Sequence, residues 1–279
     1  MTYRSIFVHV DDTEPCARRL DYAARVAKRY PGELLGAYIV PPSDVTAYSK
    51  AAIPPDMYEK YVAKLAELCS AGEANFRTAA RRAGVDEVEW RTPRGNRIGQ
   101  AVLHARHADL AIVGQPPRDD THESFVEELA NAVITHSGRP VLLVPSVGEY
   151  PTVAERVLIA WKDSRESARA VADALPLLKD AKKVFAVAVT PDAEETAREK
   201  FTDAQLSAFL RRHEVEATVR RIFAADIDAG ELLLSQAADF GADLIVMGAY
   251  SRSWLSELRW GSVTRVMLSS MTAPVLMSH

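Results

Sequence analysis

The stretch DLIVMGAYSRSWLSELRWGSVT, residues 243–264, determines how the rest of the chain is interpreted. Its apolar run at 244–247 predicts a strand that is buried on both faces, and Gly248 ends that run. Gly261 and Ser262 then predict the beginning of a helix, because serine is favoured at helix N-termini. The first N–H groups of a helix lack partners within the helix and lie at its positive dipole end. The stretch therefore predicts a strand, a loop and a helix that together suit a bound phosphate group.

Three pairs of segments show that the chain contains a long internal repeat. Two pairs are separated by 134 residues and one pair by 151 residues. They are DLAIVG (109–114) with DLIVMG (243–248), RPVLLVP (139–145) with APVLMSH (273–279), and SIFVHVDDTEPCAR (5–18) with RVLIAWKDSRESAR (156–169). A repeat of this length indicates a duplicated domain rather than a solenoid. We predict domains at 1–147 and 152–279, called here the first and second halves, with the boundary in the polar segment 146–152.

Apolar runs alternate with segments of helical periodicity in both halves, which predicts βαβ units with right-handed crossovers. The predicted strands are 5–10, 34–40, 85–91, 109–113 and 140–144, then 156–161, 184–189, 216–222, 244–247 and 274–277. The predicted helices are 14–29, 56–82, 97–107 and 123–136, then 164–178, 194–213, 226–240 and one that begins at 261. The segment 41–55 is rich in proline and is predicted to be a loop. We therefore expect an α/β protein with two doubly wound parallel sheets of five strands each.

Composition excludes several classes of function. The 279 residues carry a formal net charge of -4, which argues against general binding to nucleic acid or to anionic membranes. No apolar run approaches the roughly 18 residues of a membrane span, and no signal segment begins the chain. The two cysteines, Cys16 and Cys69, lack metal-ligand spacing and fit a reducing compartment. We expect a cytoplasmic protein with no metal site, and no catalytic acid, base or nucleophile is evident.

The chain resembles a tandem universal stress protein, with two copies of that family's domain. The segments that carry the resemblance are VHVDDTEP, IAWKDSRES, VMGAYS, GSVT and APVL. The family pattern G-x2-G-x9-G-[ST] occurs here as Gly248-x2-Ser251-x9-Gly261-Ser262. The resemblance implies strand order 3-2-1-4-5 in each sheet, with ligand outside the C-terminal strand ends. It also implies ATP, with Mg²⁺ possible beside it, although some members of the family bind no nucleotide.

The resemblance implies a set of residues in contact with an adenine nucleotide in the second half. They are Ala160, Trp161, Lys162, Asp163, Val189, Met247, Gly248, Ser251, Gly261, Ser262, Val263 and Thr264. Two of these positions depart from the family. Ser251 replaces a glycine, so that its Cβ could crowd the phosphates or its hydroxyl could donate a hydrogen bond. Lys162 replaces the usual aspartate. It could reach phosphate, Asp163 could substitute for the missing carboxylate, or the two residues could form a solvated turn.

The first half carries unfavourable residues at the equivalent phosphate positions. Subtracting 134 places Pro117 at the position of Ser251, and Glu127-Glu128 at the position of Gly261-Ser262. Carboxylates at that helix start would repel a triphosphate, and a proline removes a backbone donor. We therefore predict a single nucleotide site, in the second half, with the first half as its pseudo-symmetric partner.

Two hypotheses about function follow. The first is an ATP-binding or adenine-nucleotide-binding stress-response or regulatory protein, without efficient ATP hydrolysis. The second is a stress protein that binds no nucleotide and acts as a module for interaction with a protein partner. In both, the halves form an internal pseudo-dimer, and two chains could still pair as a homodimer.

Overall fold

The computed structural model describes residues 2–41, 54–116, 125–190, 197–223, 227–250 and 262–279. Strands and helices alternate along these ranges. In the first half they are β1 (Ser5–Val10), α1 (Cys16–Lys28), β2 (Glu33–Tyr38), α2 (Pro55–Ala83), β3 (Val88–Arg91), α3 (Arg97–Arg106), β4 (Leu110–Gly114), α4 (Phe125–His136) and β5 (Val141–Val144). In the second half they are β6 (Arg156–Trp161), α5 (Arg165–Lys179), β7 (Lys183–Thr190), α6 (Ala197–Arg212), β8 (Ala217–Phe223), α7 (Ala229–Phe240), β9 (Leu244–Gly248), α8 (Ser262–Ser270) and β10 (Val275–Ser278). Each predicted strand and helix is present; most of the predicted loop at 41–55 lies outside the described residues.

Local sequence explains where several helices begin and end. The side chain of Asn96 caps α3 by accepting a hydrogen bond from the Gly99 amide, and Asp228 caps α7 in the same way through the Gly230 amide. Gly84 ends α2 with a φ of 72°, a left-handed conformation that glycine adopts without steric cost. These helices therefore have termini that their own sequences specify.

The prediction of two separate sheets is wrong, because the strands form one mixed sheet of ten. Its order is β3-β2-β1-β4-β5-β10-β9-β6-β7-β8, so each half has the order 3-2-1-4-5 that the resemblance implied. The halves join through β5 and β10, which pair antiparallel with Leu142 opposite Leu276. Each of these strands would otherwise leave a row of unpaired N–H and C=O groups at a sheet edge. Apolar periodicity does not distinguish an edge strand from a central one, so the sequence did not reveal this junction.

The strand register confirms the internal repeat. Ile6 pairs with Leu110 in the first half, and Val157 pairs with Leu244 in the second. These partners are related by the offsets of 151 and 134 residues that the sequence shows. The two halves therefore place equivalent residues at equivalent positions, so that differences between them can be read position by position.

Helices cover both faces of the sheet and create two cores that continue through both halves. Alternate strand residues contribute to one core beneath α1, α2, α5 and α6, and to another beneath α3, α4, α7 and α8. Leu142 and Leu276 belong to the first of these cores, whereas Leu143 and Val275 belong to the second. The ten-stranded sheet thus gives the tandem halves a common interior and makes them an internal pseudo-dimer.

Polar contacts also connect the halves. The Tyr3 hydroxyl donates to the backbone oxygen of Asp173, and the Gln115 side-chain amide donates to the backbone oxygen of Leu268 at 3.0 Å. Arg25 donates to the backbone oxygen of Tyr150, in the segment that links the halves. The domain boundary at 146–152 stays a prediction, and Ala154 just beyond it is buried in the shared core.

We predict that Leu276→Ala lowers the free energy of unfolding by about 2–5 kcal/mol, because Leu276 is fully buried at the junction of the halves. The wild-type protein should unfold in one cooperative transition in urea, since both cores continue across that junction. Val147→Ala is the control, because Val147 is 76% exposed and its truncation should change the free energy by less than about 0.5 kcal/mol. Two separate wild-type transitions would contradict the common interior.

Candidate functional site

The candidate site lies at the C-terminal ends of β6 and β9. These neighbouring strands pair in parallel, with Ala160 opposite Met247. From β6 the chain passes to β7 on one side, whereas β9 leads to β10 on the other side. This is a topological switch point, where the connections leave in opposite directions and a crevice forms outside the strand ends.

Four of the predicted contact residues share one face of the sheet at this point. Ala160 and Met247 are buried in the core beneath α7 and α8, and Val189 and Val263 pack against the same core. Their side chains come from β6, β9, β7 and the first turn of α8. The predicted apolar contacts therefore converge, although they are separated by up to 103 residues in the sequence.

Trp161 does not join this group. As the strand residue after Ala160, it packs against the opposite core, beneath α5 and α6. Its indole nitrogen is buried and has no hydrogen-bond partner among the described residues. Trp161 therefore packs on the face of β6 that is opposite the crevice.

Gly248 is required by packing between β9 and α5. A Cβ on Gly248 would lie 2.5 Å from the backbone nitrogen of Ser167 and 2.6 Å from the backbone carbon of Glu166. Both distances are too short for real atoms, so that any larger residue would displace the first turn of α5. From the sequence, Gly248 is a ligand contact or a turn residue, and its close approach to α5 is visible only in the folded structure.

The same contact includes Glu166, a site residue that is not apparent from the sequence. Its side chain is almost fully buried beside Gly248, at the N-terminal end of α5. Burial alone would raise the pKa of Glu166, but hydrogen bonds from Arg165, the backbone and Ser164 lower it below its usual value. Pro15 occupies the equivalent position in the first half, so the repeat offered no signal for a buried carboxylate here.

The backbone that follows Gly248 is held from three directions. The Tyr250 amide lies 3.5 Å from the Thr264 hydroxyl on α8, and His279 Nδ1 lies 3.0 Å from the backbone oxygen of Ala249. The Tyr250 hydroxyl donates to the side-chain oxygen of Asn131, on α4 of the first half. Tyr250 has a φ of 50°, which is uncommon for a non-glycine residue. The loop of the second half is thus attached to both halves.

The remaining predicted residues lie on the surface or outside the described residues. Lys162 and Asp163 are exposed at the end of β6, just before Ser164, whose side chain caps α5 by accepting from the Ser167 amide. The backbone of α8 begins at Ser262. Ser251, Gly261 and the side chain of Ser262 lie outside the part of the chain that the structure describes.

The equivalent crevice of the first half is filled by a polar cluster. His9 stands at the position of Ala160, and Arg19 stands at the position of Ala170. Both first-half side chains are buried, and the Arg19 guanidinium lies 2.7 Å from Asp11. A Cβ on Gly114 would lie only 2.2 Å from Arg19 Nη1, so the guanidinium occupies the space against the end of β4. In the second half, both of these positions carry alanine.

This polar cluster has perturbed ionisation. Burial, together with the nearby Arg19 cation, lowers the pKa of His9 to about 4. Burial acts to raise the pKa of Asp11, but the Arg19 cation, His9 and hydrogen bonds from Thr13 lower it overall. Asp11, which is partly buried, and the buried Arg19 therefore form an ion pair beside a neutral imidazole. His9 and Arg19 are not apparent as site residues from the sequence, although the repeat places Arg19 opposite the small Ala170, which is a usable signal.

A family model for the universal stress protein family matches residues 2–145 and 154–279. The chain belongs to the universal stress protein family. The match covers both halves, in agreement with the repeat and with the order of the strands. No curated protein matches the chain. Among the described residues, no helix is long and apolar enough to cross a membrane, and no three His, Cys, Asp or Glu side chains lie close enough to hold a metal.

A solved structure that covers nearly the whole chain shows the same fold. A universal stress protein from Archaeoglobus fulgidus DSM 4304 matches with a TM-score of 0.73 at 16% identity, over 98% of this chain and 95% of that chain. Two shorter matches are universal stress proteins solved with nucleotides. One, in complex with cAMP, has a TM-score of 0.38 at 19% identity and covers 53% of this chain and 100% of that chain. The other, from Archaeoglobus fulgidus in complex with dAMP, has a TM-score of 0.34 at 19% identity and covers 44% of this chain and 94% of that chain.

We predict that His9 makes the stability of the protein depend on pH between about 4 and 6.5. The pKa of folded His9 is about 4, below the unfolded value of 6.5, so the unfolded state binds more protons between these values. Stability should therefore be complete above pH 6.5 and fall as the pH drops towards 4. Relative to His9→Ala, the wild type should lose about 2–3 kcal/mol more free energy of unfolding between pH 7 and pH 4.5.

Urea denaturation at the two pH values measures this loss. His107→Ala is the control, because His107 is exposed and its removal should leave the wild-type pH dependence unchanged. Identical pH dependence in the wild type and His9→Ala would contradict the assignment.

Proposed function

We propose that this universal stress protein binds one adenine nucleotide, in the crevice at the C-terminal ends of β6 and β9. The observation that carries the proposal is the difference between the halves. On the crevice face, the small Ala160 stands where the first half carries the buried His9. Ala160, Val189, Met247 and Val263 supply an apolar wall of the kind that small-molecule sites use. The ligand is held in the second half only.

The phosphate groups of the nucleotide are bound at the beginning of α8. Gly261, Ser262 and Val263 offer backbone N–H groups there, and the helix dipole favours negative charge at that end. The Thr264 hydroxyl meets the Tyr250 amide and positions the loop after β9 against α8. The first half carries Glu127 and Glu128 in the first turn of α4, where they repel phosphate. This difference in charge between the halves also supports a nucleotide site in the second half only.

The finer form of the proposal is ATP, with Mg²⁺ bound between its phosphates. The exposed Lys162 and Asp163 at the end of β6 contribute a cation for phosphate and a carboxylate for ribose or metal. The Ser251 hydroxyl is an additional donor to the phosphates. The chain offers no evident base to activate water, so binding serves regulation in a cytoplasmic stress response rather than efficient hydrolysis.

A second candidate function is a stress protein that works only through protein contacts. The observation that favours it is the packing of Gly248 on Glu166 and Ser167, which accounts for this glycine without a ligand. On this view the crevice is a structural remnant, and the ten-stranded sheet is a scaffold for a partner. The two candidates differ in whether purified protein binds nucleotide.

We predict that Gly261→Glu combined with Ser262→Glu weakens ATP binding at least tenfold, because it places the first-half carboxylates at the phosphate position. Ala160→His should act at the other end of the site by filling the space for adenosine. Isothermal titration calorimetry with ATP, with and without Mg²⁺, measures both effects. Thermal melting checks that each variant is folded, and mass spectrometry identifies any nucleotide that co-purifies with the wild type.

The matched control is the reciprocal change in the first half, Glu127→Gly with Glu128→Ser. It should neither weaken the existing site nor create a second one, because His9 and Arg19 still fill the first-half crevice. Wild-type protein that carries no nucleotide and shows no thermal shift with millimolar ATP would exclude the proposal. Two molecules of ATP bound per chain would contradict the difference between the halves.

A further inference from the structure

The strand β8 lies at one end of the ten-stranded sheet and has a free edge. It is seven residues long, whereas β3 at the other end has four. It pairs with β7 along its whole length, so its other side has no neighbouring strand among the described residues. Unpaired N–H and C=O groups on such an edge can accept an added strand from another chain.

A cleft of about 880 Å³ lies at the N-terminal end of β8 and continues around both faces of the strand. Ser207 and Arg211 of α6 line it on one face, and Gln236 and Phe240 of α7 line it on the other. Because helices from both layers contribute, the cleft surrounds the edge of the sheet rather than opening into one face. It is also at the opposite end of the strands from the nucleotide crevice.

The cleft is cationic. Its lining contains Lys182, Lys183, Arg211 and Arg220, against the two carboxylates of Glu216 and Asp239. Lys182 pairs with Glu155 outside the lining. Lys183, Arg211 and Arg220 make no ion pair with any residue that the structure describes. Lys183, Arg211 and Arg220 outnumber the carboxylates of Glu216 and Asp239, and this local excess of positive charge in a protein of net charge -4 favours an anionic occupant.

The first half lacks this excess of positive charge at the equivalent edge. Arg91 stands at the position of Arg220, but Glu89 holds it through two hydrogen bonds of 2.6 and 2.8 Å. Thr218 replaces that glutamate in the second half, and Lys183 replaces Glu33. The positive charges of Lys183 and Arg220 are therefore specific to the second half, whereas Arg211 has a counterpart in Arg81 at the end of α2.

Exposed aromatic side chains lie at the other end of β8. Phe223, its last residue, is 52% exposed, and Phe201 at the start of α6 is 62% exposed. The ion pair between Arg221 and Asp203, at 2.7 Å, brings this end of β8 next to the start of α6. Along one free edge, the surface thus changes from cationic at the N-terminal end of β8 to apolar at its C-terminal end.

We propose that β8 binds an extended acidic segment of a partner protein as an added strand. The free edge of β8 supplies backbone hydrogen bonds, and the cations of the cleft pair with acidic side chains on both faces of the added strand. Alternate side chains of a strand point to opposite faces, which matches a cleft lined from both helical layers. Apolar residues of the same segment contact Phe223 and Phe201. This interaction is independent of nucleotide binding.

Fluorescence anisotropy with a labelled ten-residue peptide of five Glu followed by five Val tests the proposal on the full chain, because consecutive Glu residues place carboxylates on both faces of an added strand. The acidic peptide should bind at low salt and weaken at high salt, whereas a peptide with Lys in place of Glu should not bind. Arg220→Gln combined with Lys183→Gln should weaken binding at least tenfold. Arg91→Gln is the matched control at the equivalent strand position of the first half, and it should leave binding unchanged.

Methylation of the peptide backbone distinguishes binding as an added strand from binding by charge attraction alone. One peptide is N-methylated at its odd residues and another at its even residues, because only alternate amides of a strand face its neighbour. One of the two should lose binding and the other should keep it. Equal binding of both methylated peptides would overturn the proposal, as would failure of the parent peptide to bind. The proposal would also be overturned if the protein self-associates and the acidic peptide reverses that association. The occupant of the β8 edge would then be the acidic β3 edge of a second copy.

Discussion

The antiparallel pairing of β5 with β10 is the interaction on which the rest of the structure depends. Each half on its own would leave one of these strands as an unpaired edge, with polar backbone groups beside a strongly apolar surface. Pairing them satisfies those groups and lets Leu142 meet Leu276 in one core and Leu143 meet Val275 in the other. Because both cores continue through this junction, the two halves are parts of one folding unit.

A common interior allows the halves to diverge at their crevices. Once the sheet is stabilised by both halves, only one of them has to keep an open switch point. In the first half, the pair of Asp11 and Arg19 with His9 fills the space and supplies its own polar contacts. In the second half, Ala160 and Ala170 stand at the equivalent positions, and Tyr250 attaches the following loop to Asn131 of the first half. The first half, whose crevice is filled, thus contacts the loop that follows β9 in the second half.

The two ends of the second half differ in chemistry as well as position. The C-terminal strand ends combine an apolar wall with a helix N-terminus, which suits a small phosphorylated ligand. The N-terminal end of β8 combines a free strand edge with Lys183, Arg211 and Arg220, which suits an extended acidic chain. The length of the strands separates these two surfaces, so a ligand at one does not contact the other.

The sequence by itself determined the elements, the duplication and the family, because apolar periodicity and repeated segments depend on local and self-similar patterns. The apolar runs SIFVHV and RVLIAW placed strands correctly, and the offsets of 134 and 151 agree with the observed register. Tertiary structure alone decided that the two sheets are one, since edge and central strands have the same apolar pattern. It also decided that Gly248 is needed for packing on Glu166 and that Arg19 fills the first-half crevice, since both depend on contacts between residues far apart in the chain.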